Sequence, residues 1–183
     1  MKGHIFLLQG CFMLFFGTTH ALEMSSNRRS FFRSVAAGVT MIPSFANASE
    51  RISDKELREI VKADILERQF LVTGQITRSI YLPTATFTDE IDTYKLDQWV
   101  KGTAKLFVGE QSNVRLIGDV DVSADEVKFR FDEDLMFRIP FRPIVSLSGT
   151  VVLARDATTG LISSYREIWD QDVATVLKSA KFK

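Results

Sequence analysis

The chain has 183 residues, 23 basic and 23 acidic side chains, and no net charge. Balanced charge argues against a polyanion-binding protein, and a single cysteine (Cys11) with two histidines (His4, His20) leaves little room for thiol, imidazole or zinc chemistry.

The first 48 residues read as two export segments in series. Lys2 precedes an apolar core, Ile5 to Phe16, and Thr19-His20-Ala21 ends on a small residue suited to cleavage. That core is shorter than the ~20 residues a membrane span needs, so residues 1–21 are expected to be a removable secretory signal. A hydroxylated spacer, Leu22 to Ser26, leads to Arg28-Arg29-Ser30-Phe31-Phe32, a short apolar run from Val35 to Ile42, and Ala46-Asn47-Ala48. The paired Arg28 and Arg29 and the small-x-small site at Ala46 and Ala48 resemble a twin-arginine translocation signal, which carries folded proteins across an energised membrane.

The order of secretory signal, spacer and twin-arginine segment resembles the presequence of lumenal proteins in algae with complex plastids, such as diatoms. That resemblance implies residues 22–48 as the plastid and lumenal address, with thylakoid lumen as destination. The alternative is one bacterial periplasmic protein starting at Met24.

Removing residues 1–48 leaves one domain, 49–183, of 135 residues, with 19 basic against 22 acidic side chains and a net charge of −3. Cys11, His4 and His20 all go with the presequence. A mature domain without Cys or His excludes Ser-His-Asp and Cys-His nucleophiles, Cys/His zinc sites and disulfides. Asp, Glu, Tyr and Lys remain for proton chemistry. No cofactor or metal motif is recognisable, so neither is expected.

Ser53-Asp54-Lys55-Glu56 is a capping box that opens a helix to about Phe70, with Leu57, Ile60, Val61 and Ile65 on its buried face. Ile76 to Tyr81 suggests another helical turn and Thr86 to Thr88 a short strand. A second helix from about Lys95 to Val108 would bury Leu96, Trp99, Val100, Thr103 and Phe107 and stop at Gly109. The period then changes to two: Val114 to Val122, Glu126 to Arg130, Ile144 to Arg155 and Leu161 to Gln171 are expected strands. Helices before strands predict an α+β domain with the helices on one face of a curved antiparallel sheet.

This order resembles the cone-shaped fold of nuclear transport factor 2, ketosteroid isomerase, scytalone dehydratase and SnoaL-like proteins. Thr73–Asp92 and Gly160–Asp170 further resemble an uncharacterised family of plant and algal plastid proteins with that fold. The resemblance implies a conical pocket and says little about function.

Asp64 falls on the apolar face of the first helix, at i+3 from Val61 and i+4 from Ile60. There it is either a tuned acid–base group or a structural carboxylate paired with an arginine or backbone amides. Tyr81, Asp89, Asp92 and Tyr94 form a second group; superfamily enzymes place Tyr and carboxylic acids in the cone. Tyr81 reads more simply as core, and Asp89 and Asp92 as turn caps. On the last strand Tyr165, Glu167 and Trp169 share a face, and with Trp99 the aromatics suggest a wall for a flat apolar ligand. The acidic run Asp132-Glu133-Asp134 reads as a solvated strand end.

The expectation is therefore a non-catalytic lumenal binding or assembly protein that uses Asp64, Trp99, Tyr165 and Trp169 toward an apolar small molecule or a lumenal protein. Nucleic acid and a membrane span of the mature form are not expected, and a homodimer is allowed. The alternative is a cofactor-independent, His-free isomerase or hydrolase-like enzyme using Asp64 with Tyr81 or Tyr94.

Overall fold

The computed structural model describes residues 51–182; both export segments, the Arg28-Arg29 pair and the Ala46–Ala48 site lie outside the described residues. In chain order come helix α1 (Asp54–Leu66), the single turn α2 (Phe70–Thr73), a 3-10 turn (Arg78–Ile80), β1 (Tyr81–Thr88) and β2 (Thr93–Lys95). Helix α3 (Leu96–Leu106), a second 3-10 turn (Gly109–Gln111), β3 (Asn113–Val122), β4 (Glu126–Met136), β5 (Ile144–Arg155), β6 (Ile162–Trp169) and α4 (Val173–Lys178) follow.

Helix α1 starts where the capping box places it, with the Ser53 hydroxyl accepting from the Glu56 N–H at 3.2 Å. It buries Leu57, Val61, Asp64 and Ile65. It stops at Leu66 rather than near Phe70 because Gln69 turns left-handed, at φ 51°. The Gln69 amide compensates: its Nε2 donates to the carbonyls of Ile65 and Val114, both at 3.0 Å, and its Oε1 accepts from the Val114 N–H at 2.6 Å. One side chain thus satisfies an open helix carbonyl and the backbone of β3 together.

The strands form one sheet in the order β2-β1-β6-β5-β4-β3. Four pairings are antiparallel, and β1 with β6 is parallel. The β5–β6 hairpin fixes the direction of β6, and β1, remote in sequence, pairs with its free edge without a hairpin constraint. Pro83 sits where the β1–β6 register is irregular, which is where a strand tolerates a missing N–H. Strand β3 breaks its pairing with β4 between Ile117 and Asp121, around Gly118 at φ 78°.

Helix α1 packs on β3 and α3 on β1 and β2, so the helices cover one face of the sheet. The α+β expectation describes this arrangement, with the parallel β1–β6 pair as the one departure from an antiparallel sheet. Arg155 fastens the sheet to the chain entering α1. Its buried guanidinium donates to Asp54 Oδ1 and the Ser123 carbonyl, both at 2.6 Å, to the Gly160 carbonyl at 3.1 Å and to the Ile52 carbonyl at 3.2 Å. No helix among the described residues is long and apolar enough to cross a membrane.

Candidate functional site

Strand β4 carries Val127, Phe129, Phe131, Glu133 and Leu135 to its buried face in strict alternation. The expected strand ended at Arg130; the observed one runs to Met136 because the alternation continues through the acidic run. The pleat splits that run. Asp132 and Asp134 point outward to Arg115, and Asp134 Oδ1 also accepts from the Ser146 hydroxyl at 2.6 Å. Glu133 points inward and is 3% exposed, which corrects the reading of a solvated strand end.

Glu133 opens on a cavity of about 260 Å³ between the sheet, α3 and α4. Its wall is mostly apolar and aromatic, with Phe87, Trp99, Leu106, Phe107, Phe137 and Trp169 prominent. The β1–β2 turn forms part of the rim. There Asp89 Oδ1 accepts from the N–H groups of Ile91 (2.8 Å) and Asp92 (2.9 Å), a turn that presents Asp89, Glu90 and Ile91 to the cavity. Asp89 is thus both a turn cap, as read from the sequence, and a lining residue. Burial raises its pKa above the ordinary carboxylate value against the pull of those two backbone donors.

Val173, Val176 and Leu177 of α4 line the cavity as well. The last element expected from the sequence is the strand to Gln171, with no helix after it, although Asp172 is a plain N-cap whose Oδ1 accepts from the Thr175 N–H at 2.9 Å. It is tied to β5 on both sides: Asp170 N–H donates to the Ser148 carbonyl at 2.9 Å, and Ile144 and Lys181 exchange backbone bonds at 2.8 Å.

Two buried carboxyl groups face this space. Glu167, on β6, accepts from Trp169 Nε1 at 2.6 Å through Oε1 and from the Tyr165 hydroxyl at 3.1 Å through Oε2. Burial pushes its pKa up to about 7, opposed by those two donors and aided by the Asp89 carboxylate. Glu133 has no such support. Among the described residues its Oε2 has no hydrogen-bond partner although it is shut off from solvent. Burial first, then the nearby Glu167, Asp134 and Asp132, raise its pKa well above the ordinary value. Between the two strands Gly149 leaves room on β5, where a Cβ would run into the Ile168 carbonyl oxygen and sit 3.1 Å from the Phe131 ring.

Trp99 and Trp169 line the cavity. Tyr165 is not among the lining residues; it stacks on Phe87 at 4.6 Å and acts on the site through Glu167. Asp64 is also not among them. Its carboxylate accepts from Arg68 Nη1 at 2.7 Å, the Thr77 N–H at 2.8 Å and the Thr77 hydroxyl at 2.7 Å. Tyr81 is buried in the core, its phenol pKa raised by burial and by Asp64. Tyr94 faces Phe87 across the β1–β2 pair, and burial with Asp89 and Asp92 raises its pKa too. The Asp64–Tyr81–Tyr94 set therefore lies apart from the cavity wall. Glu133 and Glu167 occupy it instead. The period-two face Val127-Phe129-Phe131, carried one step further, pointed to Glu133.

No family model matches the sequence, and no curated protein matches it. Solved structures do match in fold. A SnoaL-like protein from Jannaschia sp. CCS1, described as a candidate polyketide cyclase, is 16% identical with a TM-score of 0.50, over 66% of this chain and 88% of that one. A nuclear transport factor 2-like protein from Anabaena variabilis is 19% identical, over 67% and 94% of the two chains, with a TM-score of 0.46. The pinacolase BvnE from Penicillium brevicompactum is 15% identical over 70% and 93%, with a TM-score of 0.49. The chain has the cone fold of the SnoaL-like and nuclear transport factor 2-like proteins. Identity this low bears on the fold alone.

Proposed function

We propose that this domain binds a small, mostly apolar molecule in the cone, with the polar end of that molecule at Glu133 and Glu167, and that it does so in the thylakoid lumen of an algal plastid. The observation that carries the binding reading is the unpartnered, buried Oε2 of Glu133, a residue in the wall of a mostly apolar cavity. Leaving a buried polar atom unsatisfied costs on the order of 1–3 kcal/mol, a cost that a bound polar group removes. The lumenal address rests on the Arg28-Arg29 pair and the Ala46–Ala48 site alone.

A second reading, proton-transfer catalysis, draws on the same two carboxyls. Glu167, pushed up to about 7, is in the range where a carboxyl can hold or release a proton near neutrality, and burial with the nearby Glu167 raises Glu133 well above its ordinary value. The residues then differ from the Asp64, Tyr81 and Tyr94 set expected from the sequence.

Native protein purified from isolated thylakoid lumen tests both halves. Mass spectrometry should find a small molecule that co-purifies with it and is lost from Leu147→Trp, which fills the cavity. N-terminal sequencing should begin at Ser49. A folded wild type that carries nothing the filled variant lacks overturns the binding reading; retention of residues upstream of Arg28 overturns the address.

A further inference from the structure

We infer, building on the ligand-binding reading above, that the molecule held in this cone is an organic cation: a protonated amine on a compact apolar body. Four of the residues lining the cavity are acids, namely Asp89, Glu90, Glu133 and Glu167, and none is Lys, Arg or His. An acidic cluster alone says little. Here two independent features give it direction.

The first is how Glu167 is held. Both of its oxygens accept, one from the Trp169 indole N–H and one from the Tyr165 hydroxyl. These two donors favour the ionised form of Glu167, against the burial that pushes its pKa up to about 7. The wall nevertheless supplies no cation to balance that charge. The second feature is Glu133, a residue of the cavity wall that is 3% exposed and whose buried Oε2 has no hydrogen-bond partner among the described residues. An ammonium group carries three donors and one positive charge, the complement of a buried carboxyl that lacks a partner.

The rest of the wall fits the same chemistry. The rings of Phe87, Trp99, Phe107, Phe137 and Trp169 line the space, and aromatic faces attract organic cations while accommodating their apolar bodies. Other ligand classes fit less well. An anion would meet four acids. A neutral carbonyl compound would use a proton on Glu133 but leave the Glu167 carboxylate without a counter-charge. A metal ion needs a fuller set of ligands, and the described residues contain no group of three or more His, Cys, Asp or Glu side chains placed to hold one.

Three probes of nearly equal shape decide it: 2-phenylethylamine, 2-phenylethanol and phenylacetate, titrated into the mature protein by calorimetry, with Trp99 and Trp169 as fluorescence reporters. The amine should bind at least about tenfold more tightly than the alcohol, the difference expected of a charge-assisted contact, and phenylacetate most weakly. Glu133→Gln and Glu167→Gln should each remove most of that preference, and a cooperative urea transition of each variant shows that it folds. An alcohol that binds as well as the amine, with both displaced by Leu147→Trp, overturns the cation and keeps the pocket. Failure of all three probes to bind overturns the pocket reading and the cation with it.

Discussion

Asp64, on the buried face of helix α1, and Glu133, in the cavity wall, are carboxyls almost equally removed from solvent, at 2% and 3% exposure. Asp64 accepts three hydrogen bonds, from Arg68, the Thr77 N–H and the Thr77 hydroxyl. Glu133 has an oxygen with none, and its charged neighbours Glu167, Asp134 and Asp132 all repel its ionised form. Equal burial therefore has opposite meanings. The chain uses the first carboxylate to fasten a helix to the loop that follows it. It leaves the second in the wall of a mostly apolar cavity, with one oxygen that has no partner among the described residues.

The strongest way to break this contrast is at the fastening side. Arg155 is wholly buried and donates to Asp54 and to three backbone carbonyls, those of Ile52, Ser123 and Gly160. Arg155→Ala should strand those carbonyls and cost about 3–5 kcal/mol, read as a fall in urea midpoint. A loss below about 1 kcal/mol would mean that water reaches these carbonyls and that the junction is not a sealed one.

Asp64→Asn comes next. The amide can accept from one donor, but its NH₂ must face another, and Arg68 loses its charge partner. Arg68 is 42% exposed and can turn to solvent, so the expected cost is smaller, about 2–3 kcal/mol by chemical denaturation at neutral pH. An Asn variant as stable as wild type would make Asp64 resemble Glu133 and erase the contrast.

Much of the fastening side was legible in the sequence because its cues are local. The Ser53–Glu56 box fixed the start of α1, and the i+3 and i+4 spacing put Asp64 on the buried face. Its partner at Thr77 is 13 residues away and could not be read from spacing. The cavity side depends on longer relations. Glu133 lies on β4 and Glu167 on β6, and only the order β6-β5-β4 brings them to one concave face. Three acids in a row suggested a solvated end, whereas the pleat sends the middle one inward. Charge composition won over periodicity in that reading, and periodicity was the better guide. Helix α4 directly follows an aromatic strand, and its six residues are too short for amphipathic spacing to stand out. The parallel β1–β6 pair joins strands at opposite ends of the domain sequence, so no turn residue announces it.

The smallest effect gives the sharpest test, because its sign separates the two kinds of carboxyl. Glu133 has a folded-state pKa above its ordinary value of 4.5, so the fold favours its protonated form. Its contribution to stability is fully present below pH 4.5 and is lost as pH rises through the folded value. Gln does not titrate and matches the protonated side chain in shape. At pH 4 wild type and Glu133→Gln should therefore agree within about 0.5 kcal/mol. By pH 8 the variant should be ahead by on the order of 1–2 kcal/mol, since wild type bears the growing cost of a buried, unpaired charge beside Glu167. Glu167, pushed up to about 7 in the fold, adds a fall of the same sign in wild type, and a smaller one where Glu133→Gln removes the charge that Glu167 opposes. Urea midpoints of the two proteins at several pH values measure it. If Glu133→Gln is instead less stable than wild type by a constant amount at every pH, Glu133 is fastened as Asp64 is, and the cavity holds no carboxyl waiting for a ligand.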